Sequence, residues 1–162
     1  TTALPVDDDF EMPDPSSAGY VNELAVEGLQ AEGLDIEPLG DVSTYNPTWG
    51  GAGGSMYSTI EDLGVWAATG FGNELLPPEL AAQRLEATPL AEGIDYGLGI
   101  IDYGNGWYGH TGEILGWNSI AANNPATGAA FVAIVNESGS LLATGGPALA
   151  AFPDLIGAYG LG

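Results

Sequence analysis

An α+β fold is what the 162-residue sequence predicts: an antiparallel sheet with a C-terminal helix, plus a short helical segment ahead of the sheet. Three observations carry this. Between residues 58 and 85 apolar side chains recur at helical spacing behind a capping signal. After Gly93 the pattern changes to short aliphatic and aromatic runs separated by turn signals. From Pro147 onward the apolar positions return to an amphipathic helical pattern.

Along the chain, residues 1–43 carry Pro5, Pro13, Pro15, Asp7-Asp8-Asp9 and scattered glycines, with no sustained period. They predict an extended segment wrapping a surface. Thr1-Thr2-Ala3-Leu4 reads as readily as the middle of a longer protein as its start. Residues 44–92 form the helical segment. Gly50-Gly51-Ala52-Gly53-Gly54-Ser55 demands turns, and Ser58-Thr59-Ile60-Glu61 fits a capping box with Ser58 as the cap. Ile60, Leu63, Trp66 and Ala67 then follow at helical spacing, with Gly70 as the stop. Pro77-Pro78-Glu79 opens a second short helix with Leu80 and Leu85 on its buried side. Residues 93–162 form the sheet and last helix. Tyr96 to Ile101 reads as one strand and Trp107 to Thr111 as the next, turned by Asn105-Gly106. Trp117 to Ala122 and Ala130 to Val135 pair around Asn124-Pro125-Ala126-Thr127-Gly128. The tail through Leu149, Phe152, Leu155, Ile156 and Tyr159 reads as a helix despite Pro153 and Gly157, able to cover one face of the sheet.

Composition excludes several function classes. One Arg and no Lys stand against 22 acidic residues, a net charge of −21. Such a surface has nothing with which to neutralise phosphates, so nucleic acid is excluded as a partner. Anionic lipid is excluded on the same ground. The charge has two readings: a solvated acidic surface that maintains solubility, or a surface part of which meets a more basic partner segment. No apolar run reaches the roughly 18 residues a membrane span needs. No basic n-region precedes an apolar stretch, so no signal peptide is expected within these residues. The absence of Cys removes disulfides and thiolate metal sites, and no cofactor or metal is expected. Asp7-Asp8-Asp9 lacks the loop spacing of an EF-hand and reads as a solvated run. Gly53-Gly54-Ser55 is no phosphate loop, because the lysine and the preceding strand are missing.

The chemistry concentrates in Tyr108-Gly109-His110-Thr111-Gly112, continued by Glu113-Ile114-Leu115-Gly116-Trp117-Asn118-Ser119. It holds the sole histidine, flanked by glycines that let other groups approach the backbone. In order along the chain stand Gly19-Tyr20, then Gly53-Gly54-Ser55-Met56-Tyr57-Ser58-Thr59-Ile60-Glu61-Asp62-Leu63, then Tyr96-Gly97-Leu98-Gly99, then this run. In that order the chain resembles the C-terminal part of the serine β-lactamase and penicillin-binding-protein family, in particular class C β-lactamases and secreted D-alanyl-D-alanine carboxypeptidases. The resemblance implies the C-terminal part of a β-lactamase/transpeptidase-like fold. The helix pair would belong to its all-helical subdomain, and the meander and last helix to its α/β subdomain.

Such enzymes combine Ser-x-x-Lys, Tyr-x-Asn or Ser-x-Asn, and Lys-Thr-Gly or its His-Thr-Gly variant. By resemblance His110-Thr111-Gly112 is the third element, on the strand edging the cleft. His110 would supply polarity near the nucleophile, and Thr111 would bind the substrate carboxylate. Gly112 would leave room for a substrate lying along the strand. The backbone N–H of Glu113 matches the family's position for one oxyanion-hole donor. Trp117 would line the substrate site, and Trp107 and Trp117 are both open to cleft or packing roles. The first element is absent, since a chain without lysine contains no Ser-x-x-Lys. Tyr20-Val21-Asn22 fits Tyr-x-Asn by letters, but lies in the segment that follows the true motif in the family. Ser55, Ser58 and Ser119 have no base at helical spacing, and a Ser-His-Asp triad lacks a Gly-x-Ser-x-Gly elbow. Arg84 sits beside the second helix, away from the cleft strands, so a carboxylate-binding role for it is unsupported.

The expectation is therefore the C-terminal part of a serine hydrolase, extracellular or periplasmic, acting through an acyl-enzyme on a small peptide, β-lactam or ester. Its partner would be the N-terminal part of the same enzyme, carrying Ser-x-x-Lys. The chain alone is expected to be inactive. The alternative is a non-catalytic β-lactamase-like module that binds peptides or cell-wall fragments.

Overall fold

A computed structural model describes residues 3, 12, 14–35, 41–72, 74–91, 94–138 and 146–160. The acidic run 7–9 lies outside them. In chain order the elements are β1 (Tyr20–Val21), α1 (Glu23–Ala31), a 3₁₀ turn (Pro47–Gly50), α2 (Gly51–Gly54), α3 (Ile60–Gly70) and α4 (Pro78–Arg84). Then come β2 (Thr88–Ala91), β3 (Ile94–Tyr96), β4 (Ile101–Asp102), β5 (Tyr108–Ile114), β6 (Trp117–Asn124), β7 (Ala129–Val135), β8 (Glu137–Ser138) and α5 (Gly146–Ala158). Strands β2 to β7 form one six-stranded meander in sequence order, and β1 pairs with β8 in parallel. The α+β class, the antiparallel sheet and the C-terminal helix all agree with the sequence reading.

The chain divides into two compact units. The first comprises Thr1–Ser58, Gly112–Ser119 and Ile134–Ala151. Its core is Val21, Val26, Val42 and Leu115, with Leu29 and Leu34 packed against them. Here the sequence reading needs correction: α1 lies within the stretch read as extended. Val26 and Leu29 belong to its packed face, and Gly28 in mid-helix weakens the local signal. The helix starts where the Asn22 carbonyl accepts from the Val26 N–H at 3.0 Å.

The second unit comprises Thr59–Thr111, Ile120–Ala133 and Phe152–Gly162. Consecutive strand residues point to opposite faces, and neighbouring Phe131 and Val132 show it. Val132 joins Ala67, Phe71, Ile100 and Ala121, with Leu63, Leu85 and Tyr108, on the side of α3. Phe131 packs on the other face against Phe152 of α5 at 5.1 Å between ring centroids, and Phe152 also meets Tyr103 at 5.3 Å and Trp107 at 5.4 Å. Trp107 is 1% exposed, so its role is core packing and not cleft lining.

Three further expectations shift. The cap of α3 is Thr59, whose side chain accepts from the Asp62 N–H at 3.1 Å, one residue later than read. Thr59 to Asp62 satisfies the same spacing rule as Ser58 to Glu61, so the sequence alone offers two registers. Leu80 is exposed while Leu85 is packed, because positions five apart on a helix point roughly 140° away from each other. Tyr96 to Ile101 is not one strand. Gly97 to Ile100 is the turn between β3 and β4, closed by Gly97 N–H to the Ile100 carbonyl at 2.8 Å, with Gly99 at φ +66°. The Asn105-Gly106 turn is as read: φ is 52° at Asn105 and 81° at Gly106, the type I′ signature.

The single cation of the chain has a structural post. Arg84 Nη1 donates to the Gly70 carbonyl at 2.6 Å, at the C-terminal end of α3, and the guanidinium lies 5.6 Å from the Phe71 ring centroid. A positive charge at that helix end also meets the favourable end of the macrodipole. Replacing Arg84 with Met is expected to lower unfolding free energy by about 1–2 kcal/mol, the cost of a lost charge-assisted hydrogen bond. Urea denaturation of the two chains measures it, and an unchanged midpoint would contradict the assignment.

Candidate active site

Strand β5 places the candidate residues. Its N-terminal part, Tyr108 to Thr111, belongs to the second unit, and its continuation from Gly112 to the first. Gly109 makes the close approach to β6 possible. A Cβ there would overlap the Ala121 carbonyl oxygen and stand 2.6 Å from Ala122 Cα. No side chain fits at this position, and the strand passes flush against its neighbour.

His110 follows, half-buried, with both ring nitrogens engaged. Nε2 lies 2.8 Å from the Tyr96 hydroxyl, and Nδ1 is paired with the Thr111 carbonyl oxygen. The Tyr96 and His110 rings meet edge to face, at 88° and 5.6 Å between centroids, the arrangement that ring quadrupoles favour. Thr111 lies beside half-buried Tyr103. The Tyr103 phenol lies near the Thr111 side chain without a well-formed hydrogen bond, and burial pushes its pKa well above the usual tyrosine range.

Beyond Thr111, the Gly112 carbonyl accepts from Asn118 Nδ2 at 3.3 Å. Asn118 is 1% exposed, and its Oδ1 accepts from the Ala148 N–H at 2.9 Å, in the first turn of α5. A Cβ on Gly112 would stand 2.8 Å from Ser119 Oγ. The glycine therefore admits Ser119 of the adjacent strand. Glu113 continues β5, half-buried. Trp117 is half-buried, and its ring lies where a side chain on Gly19 would stand, within 2.6 Å of that Cβ position. Its indole N–H donates to Ser17 Oγ at 3.4 Å.

The remaining candidates have local structural work. Tyr20 and Val21 form β1, and Asn22 donates to Glu137 at 3.4 Å; Tyr20-Val21-Asn22 thus holds a strand end and a helix start. Ser55 donates to the Gly51 carbonyl. Among the described residues no group of three or more His, Asp and Glu side chains could hold a metal ion, and no helix is long and apolar enough to cross a membrane.

Two residues of the site escaped the sequence reading as participants, Tyr96 and Asn118. Both stood inside quoted motifs. For Asn118 a signal existed: an Asn amid the Trp117 to Ala122 strand, where burial requires every polar atom to be paired. For Tyr96 the signal is non-local, because β4 separates its strand from that of His110.

With this geometry in view, known proteins can be compared. The beta-lactamase family model matches residues 5–151. A D-stereospecific amidohydrolase from Streptomyces sp. superposes with a TM-score of 0.68 at 27% identity, over 84% of this chain and 39% of its own. A D-amino acid amidase from Ochrobactrum anthropi SV3, complexed with L-phenylalanine amide, superposes with a TM-score of 0.63 at 24% identity, over 86% of this chain and 40% of its own. The chain thus spans about two fifths of the length of these structures. No curated protein sequence matches it. A family match running over nearly the whole chain, including the His110-Thr111-Gly112 strand, establishes the relationship: the chain belongs to the beta-lactamase family.

Proposed function

We propose that this chain forms the substrate-binding edge of an extracellular or periplasmic serine hydrolase of the penicillin-recognising type. The observation that carries the reading is His110-Thr111-Gly112 on β5, in a family member whose sequence contains no lysine. The serine nucleophile and its Ser-x-x-Lys lysine then come from a polypeptide segment outside these residues. The serine attacks a carbonyl carbon, the leaving amine or alcohol departs, and water hydrolyses the acyl-enzyme.

In this reading Thr111 binds the substrate carboxylate or its equivalent, and Gly112 keeps the strand surface clear. The Glu113 N–H donates to the developing oxyanion, and Trp117 borders the substrate. His110 stands where the commoner motif has a lysine, and it supplies a polar ring instead of a fixed positive charge. The names of the two solved relatives favour a D-configured amide or peptide as substrate. D-Alanyl-D-alanine peptides, β-lactams and esters are the further candidates.

The test compares the 162-residue chain with a longer polypeptide that also carries Ser-x-x-Lys. A fluorescent penicillin or a fluorophosphonate is expected to label the longer protein and not the chain. The longer protein should also hydrolyse D-phenylalanine amide faster than its L-enantiomer. Stoichiometric labelling of the chain alone would overturn the assignment of the nucleophile. Tight binding of D-alanyl peptides without hydrolysis by the longer protein would favour the non-catalytic module.

A further inference from the structure

We infer that Tyr96 is a positioning residue for His110, locking its imidazole in the Nδ1-protonated tautomer and fixing its ring plane. The inference rests on the reading of His110 as part of the site, and it adds a function for a residue outside the motif itself.

The assignment follows from hydrogen-bond chemistry. A backbone carbonyl oxygen can only accept, so the contact between His110 Nδ1 and the Thr111 carbonyl requires a hydrogen on Nδ1. A neutral imidazole carries one N–H, so Nε2 then presents a lone pair. The Tyr96 hydroxyl, 2.8 Å from Nε2, is the donor that matches it. Of the two neutral tautomers, only this one satisfies both contacts. The opposite one would set an Nδ1 lone pair against a carbonyl oxygen and leave the Thr111 carbonyl without this donor. The edge-to-face packing of the two rings at 88° holds the imidazole against rotation about its outer torsion.

The consequence for the site is specific. A lysine in the first position of the motif offers an ammonium with three donors and a permanent charge. Neutral His110, held by Tyr96, offers neither: its sole N–H is spent on Thr111 and its lone pair on the phenol. Protonation would reverse the second bond, Nε2–H donating to the Tyr96 oxygen and the phenol hydrogen turning to another acceptor. His110 and Tyr96 therefore act as one unit.

Because His110 is the only histidine of the chain, selective ¹⁵N-histidine labelling gives one pair of ring nitrogen resonances with no assignment step. In alkaline buffer, where the ring carries a single N–H, Nδ1 is expected to appear as the protonated, pyrrole-type nitrogen and Nε2 as the pyridine-type one. The chain in urea supplies the reference for a ring free of both contacts. In Tyr96→Phe, which keeps the ring and removes only the donor, the signals should move toward that reference, while Nδ1 still couples to Thr111. A folded wild-type chain with Nε2 protonated would overturn the inference, as would a Tyr96→Phe spectrum identical to wild type. The readout needs no turnover, so its failure leaves the acyl-transfer reading intact. Conversely, absence of turnover in the longer protein leaves the tautomer result standing.

Discussion

Gly109→Ala is expected to lower the unfolding free energy by about 3 kcal/mol, the upper part of the range for forcing extra atoms into a packed interior. The added Cβ would meet backbone, the Ala121 carbonyl oxygen and Ala122 Cα, and backbone cannot rotate out of the way as a flexible side chain can. Strands β5 and β6 must then separate at the residue preceding His110, and neighbouring ladder hydrogen bonds lengthen with them. A loss of this size is a substantial fraction of the roughly 5–15 kcal/mol by which domains are stable. Gly64→Ala is the matched control. Gly64 sits within α3, and a Cβ there meets nothing within 4 Å, so removing glycine from a helix interior should stabilise by about 0.5–1 kcal/mol. Denaturant titrations of both variants give opposite signs if the close approach at Gly109 is real. A Gly109→Ala chain with wild-type stability would show that β5 and β6 have room to spare.

What the sequence disclosed was what local rules govern. The β5 strand was legible at its start, where Asn105-Gly106 adopts the two positive φ values that its residue types favour, but it runs on to Ile114, past the Thr111 end read from the sequence. The last helix was legible despite Pro153, since its apolar period outweighed one breaker. The β3–β4 turn was not. Tyr96 to Ile101 alternates glycine with aliphatic residues, which satisfies a strand pattern as well as a turn. Only the Gly97 to Ile100 bond, together with the Leu98 N–H bonded to the Arg84 carbonyl at 3.0 Å, decides between them. That second bond comes from the end of α4, a distant element. The same holds at the site: His110, Thr111 and Gly112 were visible as residues, but Tyr96 reaches His110 from beyond β4. Side-chain partners set by register across an intervening strand leave no local trace in the chain.

Asn118→Ala is the second large effect expected, and it joins stability to the proposed chemistry. Asn118 is buried and uses both ends of its amide, accepting from the Ala148 N–H and donating to the Gly112 carbonyl. Ala148 lies in the first turn of α5, where backbone N–H groups have no partner within the helix. The side chain thus satisfies a helix terminus from a neighbouring strand. Gly146 accommodates it, since a Cβ there would stand 2.6 Å from Asn118 Cγ. Truncation leaves a buried N–H unpaired and opens a small void, a loss of about 2–3 kcal/mol. The consequence for catalysis comes from the planarity of the peptide bond. The Gly112 carbonyl and the Glu113 N–H belong to one rigid unit, so the hydrogen bond that grips the carbonyl also aims the N–H. If Glu113 N–H is the oxyanion donor, Asn118→Ala in the longer, Ser-x-x-Lys-bearing protein should reduce kcat by at least tenfold while KM changes little. Asn118→Asp keeps the acceptor and removes the donor. Its carboxylate still accepts from Ala148, but it has no hydrogen to give Gly112 and sets a buried charge against that carbonyl oxygen. Stability and kcat should therefore both fall in Asn118→Asp. A wild-type kcat in a folded Asn118→Asp protein would show that the Gly112 contact does not orient the donor.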